Sequence, residues 1–206
     1  MSRLQPADLQ SNCPEARDII KTLGHPPRES CNFIHLLAQS PAGLEMYLAS
    51  ACALADGGLS AERRAMIGLA VSEIHGSAYG IAMHHAQAVA AGVAPGDITN
   101  ARYGRADDPA THAMLRFVIA VVLQRGDVSD GDLQALRRAG FSDGAVAEIV
   151  ANVAHCTFGD LFNNVARTTV DYPAPTGDAA ASASVPVPFP PAVPATSGAS
   201  KKVKVS

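Results

Sequence analysis

The sequence predicts an all-α protein. Helix start and stop signals recur through the first 173 residues, strand signals do not, and apolar residues return at helical spacing. Pro14, following Ser11 and Asn12, opens a helix carrying Ile19, Ile20 and Leu23 that Gly24 ends. A second helix runs through NFIHLLAQ. A third runs from Pro41 to about Asp56 and closes on Gly57 and Gly58. Ser60 suits the N-cap of a helix through Val71 and Ile74, which Gly76 breaks. The next helix reaches Ala91 and stops at Gly92. Pro95 to Ala101 reads as a short helical turn.

Asp108 and Pro109 start a long apolar helix, HAMLRFVIAVVLQR, that Gly126 ends. Ser129 and Asp132 form a capping-box-like start, and Gly140 stops that helix. Ser142 caps the last helix, which extends to about Thr169. Composition changes after Pro173. Residues 174–206 are rich in Ala, Ser, Pro and Val, with six prolines and a closing KKVKVS. Such a segment reads as a flexible, partly extended tail, so the chain divides into a helical domain, 1–173, and a tail, 174–206.

Composition narrows the function classes. The 206 residues suffice for one domain with a real core, and 48% are hydrophobic. A net charge of -3 and the absence of Trp argue against a nucleic-acid partner. No apolar run approaches the roughly 18 residues of a membrane span, and the polar N-terminus lacks the apolar core of a secretory signal. The four cysteines, Cys13, Cys31, Cys52 and Cys156, are widely spaced, which fits reduced thiols in a cytoplasm. The expectation is a cytoplasmic protein that touches neither nucleic acid nor membrane. The helix 109–125 is apolar on nearly every side, which favours a homo-oligomer.

Residues 59–93, LSAERRAMIGLAVSEIHGSAYGIAMHHAQAVAAGV, resemble the core motif of the alkylhydroperoxidase D / carboxymuconolactone decarboxylase superfamily. That motif is a capped helix with a Glu, then a glycine, then C-x-Y-C-x-x-x-H opening the next helix. The resemblance extends from near Phe33 to Pro173. It implies an alkylhydroperoxidase D-like bundle of roughly seven or eight helices, found in such proteins as a homo-oligomer. Gly76, Tyr79 and His84 match the motif. The two family cysteines fall on Ser77 and Gly80, and the family's catalytic Glu falls on Ala65. An alcohol cannot pass through sulfenic acid to a disulfide, and glycine offers no resolving sulfur. The cysteine-based peroxidase mechanism is therefore expected to be absent. The decarboxylase branch of the superfamily works without the cysteine pair.

The candidate site residues are His84, His75, Ser77, Tyr79 and Glu73. His84 sits at the family's catalytic histidine and suits acid–base work near neutral pH; the alternative is an inherited histidine bonded to backbone. Ile81, Ala88 and Ala91 share its stripe, which puts it on the inner helix face, in an expected pocket with His75 and Tyr79. His85, about 100° away, should be more exposed. Ser77 near His75 reads as a nucleophile and its base, or as an N-cap. Glu73 with His75, and His84 with His85, are too close in sequence to share a helix face; one ligand from each helix, such as His75 with His84, could still converge, but no metal is expected. Cys156 reads as a buried inert thiol, and Asn163 and Asn164 as helix-packing residues. Two functions stay open: proton transfer on a small organic substrate without thiol or cofactor, or a non-catalytic scaffold on the same fold.

Overall fold

Serine caps decide where most of the helices begin. Ser40, Ser60, Ser77 and Ser142 each accept a hydrogen bond from the backbone N–H three residues on. Ser129 and Asp132 cap each other reciprocally, and Asp108 accepts from the Thr111 N–H. Each such cap is worth about 1 kcal/mol. The computed structural model describes residues 2–9, 14–23 and 31–173, and these contain nine helices and no strand.

The helices are α1 (Pro14–Leu23), α2 (Asn32–Leu37), α3 (Pro41–Ala55), α4 (Ala61–His75), α5 (Ala78–Ala90), α6 (Pro95–Ala101), α7 (Pro109–Leu123), α8 (Asp130–Arg138) and α9 (Asp143–Ala166). The expected cap at Ser11 and Asn12, the stop at Gly24 and the tail 174–206 lie outside the described residues. The last helix stops at Ala166, short of Thr169. Arg167 turns into the left-handed region at φ 50°, and the Thr168 N–H bonds back to the Asn163 carbonyl. No helix among the described residues is long and apolar enough to cross a membrane.

α4 is the axis of the molecule. Every residue from Ala65 to Ser72 is buried, the pattern of a helix wrapped on all sides. α5, α7 and α9 pack against it. Ile67, Leu69, Met114, Leu115, Val118, Leu136 and Ile149 form the fully buried heart of that core. A second, aromatic cluster lies towards the N-terminal side. There Phe33 meets the Tyr47 ring edge-on at 4.7 Å and the Phe162 ring at 5.7 Å. The segments around Ser2–Arg3 and Ala166–Thr169 join beside this cluster. The Arg3 N–H donates to the Ala166 carbonyl at 2.7 Å, and the Thr169 N–H donates to Ser2 Oγ at 3.3 Å.

Candidate active site

α4 ends on Gly76, whose left-handed φ of 60° turns the chain sharply enough for α5 to fold back along α4. The Ser77 N–H returns to the Ser72 carbonyl at 2.9 Å. Ser77 itself is fully buried, and its hydroxyl accepts from the Gly80 N–H at 3.1 Å, starting α5. This corner packs against the second half of α9, which brings in a residue absent from the sequence-based list, Asp160.

Asp160 is 2% exposed. Ser72 Oγ donates to its Oδ1 at 2.9 Å, and His75 Nδ1 lies 3.3 Å from its Oδ2. A carboxylate only accepts, so His75 donates from Nδ1, which leaves Nε2 as the ring nitrogen not engaged by Asp160. His75 is half-buried, with 15% of its side chain exposed, so the imidazole stands between the buried carboxylate and the solvent. Asn164, the residue expected to fix helix packing, donates from Nδ2 to the His75 carbonyl at 2.9 Å and ties α9 to the end of α4. Asn163 bonds back along α9 to the Gly159 carbonyl.

The other candidates go to separate places. His84 is buried at 6% exposure, on the inner face of α5, and its Nδ1 pairs with Gln87 Oε1 at 2.8 Å. Its ring lies against Gly68 of α4 so closely that a Cβ there would sit 2.3 Å from Nδ1. Tyr79 points into the aromatic cluster. Its hydroxyl donates to Asp171 Oδ1 at 2.9 Å, and burial, then Cys31 and the Asp171 bond, push its ionisation far above the ordinary phenol value. Glu73 pairs with Arg102 through Nε at 2.7 Å. His75, Tyr79 and His84 thus bond to different groups: Asp160, Asp171 and Gln87. Among the described residues no three His, Cys, Asp or Glu side chains form a metal-binding group.

Comparison with known proteins places the fold. The carboxymuconolactone decarboxylase family model matches residues 41–121, which contain α3 to α6 and most of α7. The fold is similar to an uncharacterized peroxidase-related protein from Ralstonia eutropha JMP134 with an alkylhydroperoxidase AhpD core. The TM-score is 0.74 at 26% identity, over 82% of this chain and 92% of that one. The chain thus carries a segment that matches the carboxymuconolactone decarboxylase family model and has a fold similar to an alkylhydroperoxidase AhpD core. Two further structures share the fold at 20% identity and over 82% of this chain. An uncharacterized peroxidase-related protein from Silicibacter sp. TM1040 matches over 94% of its length with a TM-score of 0.66. The debrominase Bmp8, in complex with 2,3,4-tribromopyrrole, matches over 90% of its length with a TM-score of 0.63. No curated protein matches the sequence.

Ser77 and Gly80, on which the resemblance places the motif's two cysteines, both lie at the corner where Asp160 arrives. Here the corner holds a carboxylate, a histidine and two serine hydroxyls. Cys156, one turn before Asp160 on α9, is buried; burial first, and then the Asp160 charge, push its thiol well above the ordinary value, which leaves it un-ionised and unreactive. Asp160 escaped the sequence reading because its partners are 85 and 88 positions away. One signal was available: an acidic residue amid Cys156, Phe158, Gly159, Leu161 and Phe162.

Proposed function

We propose that this chain is an alkylhydroperoxidase-like protein whose corner works by proton transfer on a small organic substrate instead of by thiol chemistry. One observation supports the reading: the buried Asp160 carboxylate held 3.3 Å from His75 Nδ1. The pair has the logic of a general base and its orienting group. Asp160 holds the ring in one tautomer, Ser72 holds Asp160, and His75 Nε2 takes a proton from a substrate at the open side of the corner. Ser77 starts α5 and keeps the corner closed behind the histidine. His84, Tyr79 and Glu73 take structural parts, each bonded to its own partner. No bound cofactor is required for this step.

Self-assembly has its own support. Val150, Leu161 and Val165 are exposed at 42, 53 and 64% along the outer side of α9, an apolar stripe suited to a second copy of the chain in a homo-oligomer. Free Cys31, Cys52 and Cys156 fit a reducing cytoplasm. The test is exchange of carbon-bound protons of small carbonyl acids in deuterated water, followed by NMR. The wild type should exchange at least one compound of the panel, and His75→Ala should stop it. A panel on which the wild type and His75→Ala are equally silent, or equally active, overturns proton transfer and leaves the scaffold reading.

A further inference from the structure

We propose that residue 80 decides which chemistry the corner can host, because a side chain there and a seated Asp160 exclude one another. The inference rests on the proton-transfer reading for its functional consequence; its geometric part stands alone. A Cβ built on Gly80 would lie 2.0 Å from Asp160 Oδ1, 2.4 Å from Ser72 Oγ and 3.0 Å from Ser77 Oγ. Real Cβ atoms do not approach oxygen so closely. The carboxylate therefore occupies the space where any side chain at 80 would begin, including the sulfur-bearing one of the superfamily motif.

The clash has a definite victim. Gly80 sits in the first turn of α5, held by the Ser77 cap, and its backbone cannot retreat without losing that 3.1 Å bond. Asp160 sits in the middle of α9, so its backbone is equally fixed. What yields is the carboxyl end of Asp160, a short side chain with two rotatable bonds. Relieving a 2.0 Å approach takes a displacement of more than about 1 Å. The Asp160–His75 contact is already 3.3 Å long, and such a shift carries it beyond hydrogen-bond reach. Ser72, whose hydroxyl is the second atom struck, loses its bond to Oδ1 in the same movement. Gly80 is thus a positioning residue: by having no side chain it seats the carboxylate that orients His75. Losing the second thiol and acquiring the carboxylate are one structural change.

The tautomer of His75 reads this directly. In long-range proton–nitrogen NMR spectra of the wild type, His75 Nδ1 should appear protonated and Nε2 unprotonated. Gly80→Ala and Gly80→Cys should abolish that preference. Gly96→Ala serves as control, since nothing lies within 4 Å of a Cβ at that helical glycine, and should leave the spectrum unchanged. Thermal melts of Gly80→Ala, Asp160→Ala and the double variant guard against a folding failure. Removing the carboxylate makes room for the Cβ, so the double variant should melt above the sum of the two single effects. An unchanged His75 tautomer in Gly80→Ala, or additive melting shifts, overturns the inference. If the tautomer is lost in Gly80→Ala while proton exchange on the substrate panel persists, the exclusion stands and the proton-transfer reading falls.

Discussion

Two glycines in this protein each admit one polar side chain into the interior, and they do it differently. Gly68, in the middle of α4, lets the ring of His84 lie flat against the helix. Gly80, at the start of α5, lets the Asp160 carboxylate into the corner. The partner of His84 is Gln87, three residues along its own helix. The partners of Asp160 are Ser72 and His75, on another helix and more than 80 positions away. The first arrangement is local and survives as long as α5 survives. The second exists only when α4, α5 and α9 are docked together. On the proton-transfer reading, the motif histidine serves packing, and the group that orients chemistry is Asp160, which the motif does not contain.

The sharpest break of this comparison is in activity. Asp160→Asn and His75→Ala should each cost about 10²–10⁴-fold in any proton-transfer rate, the usual worth of a general base. His84→Gln should cost less than about tenfold, because its bond is made within α5. A larger loss in His84→Gln than in His75→Ala would reverse the assignment of the two histidines.

Stability comes next. Gly68→Ala places a Cβ 2.3 Å from His84 Nδ1 and 2.4 Å from Cγ, in the most tightly enclosed stretch of α4. Overpacking of that kind costs about 1–3 kcal/mol, and roughly 2–4 °C in Tm per kcal/mol for a chain of this size. Calorimetry that shows no fall would mean the His84 ring is free to move aside.

Peroxide chemistry gives a qualitative contrast. The wild type should not turn over hydrogen peroxide or alkyl hydroperoxides with a dithiol reductant, and Cys156→Ser should change nothing. The Cys156 thiol is buried and held un-ionised, so a colorimetric disulfide reagent should label Cys31 and Cys52 well before it. Fast labelling of Cys156 in the native protein would contradict its burial.

The smallest effect is a pH dependence, and it separates His85 from its neighbour. Burial, and then the Arg102 charge, hold His85 below the ordinary imidazole value of 6.5. The folded protein binds that proton less readily than the unfolded chain does. Its contribution to stability is full above the ordinary value and is lost as pH falls through it towards the folded value. His85→Gln should therefore lose less stability than wild type between about pH 7 and about pH 5, measured as the shift in urea midpoint. Equal losses would show that other groups set the acid limb.

Local rules made most of the fold legible. The starts at Ser40, Ser60, Asp108, Ser129 and Ser142, and the turn at Gly76, follow from capping and from glycine's freedom in the left-handed region. Half of the candidate site was legible for the same reason: the stripe through Ile81, Ala88 and Ala91 puts His84 inside, and Ser77 is the cap of α5. The pairings were not legible. Which inner face meets which depends on three helices docking, and period alone does not say that Tyr79 turns towards Asp171 while Glu73 turns towards Arg102. Ala65 and Gly80 looked like two losses in a degraded motif. Gly80 proves to be half of a pair whose other half, Asp160, lies outside the motif altogether.

The closure between Ser2, Arg3, Ala166 and Thr169 also sets an order of events during synthesis. Ser2 and Arg3 have partners that are made about 165 positions later. At ~5–20 residues per second, the leading segment waits on the order of ten to thirty seconds for its seat. The α4–α5 hairpin can close long before that, since its contacts are near in sequence. Asp160 reaches the corner only once α9 is complete. Nascent chains cut before that helix would hold a hairpin with an open notch at Gly80 and an unmatched segment at Ser2–Arg3, so the histidine acquires its carboxylate and the Ser2–Arg3 segment its seat in the same step.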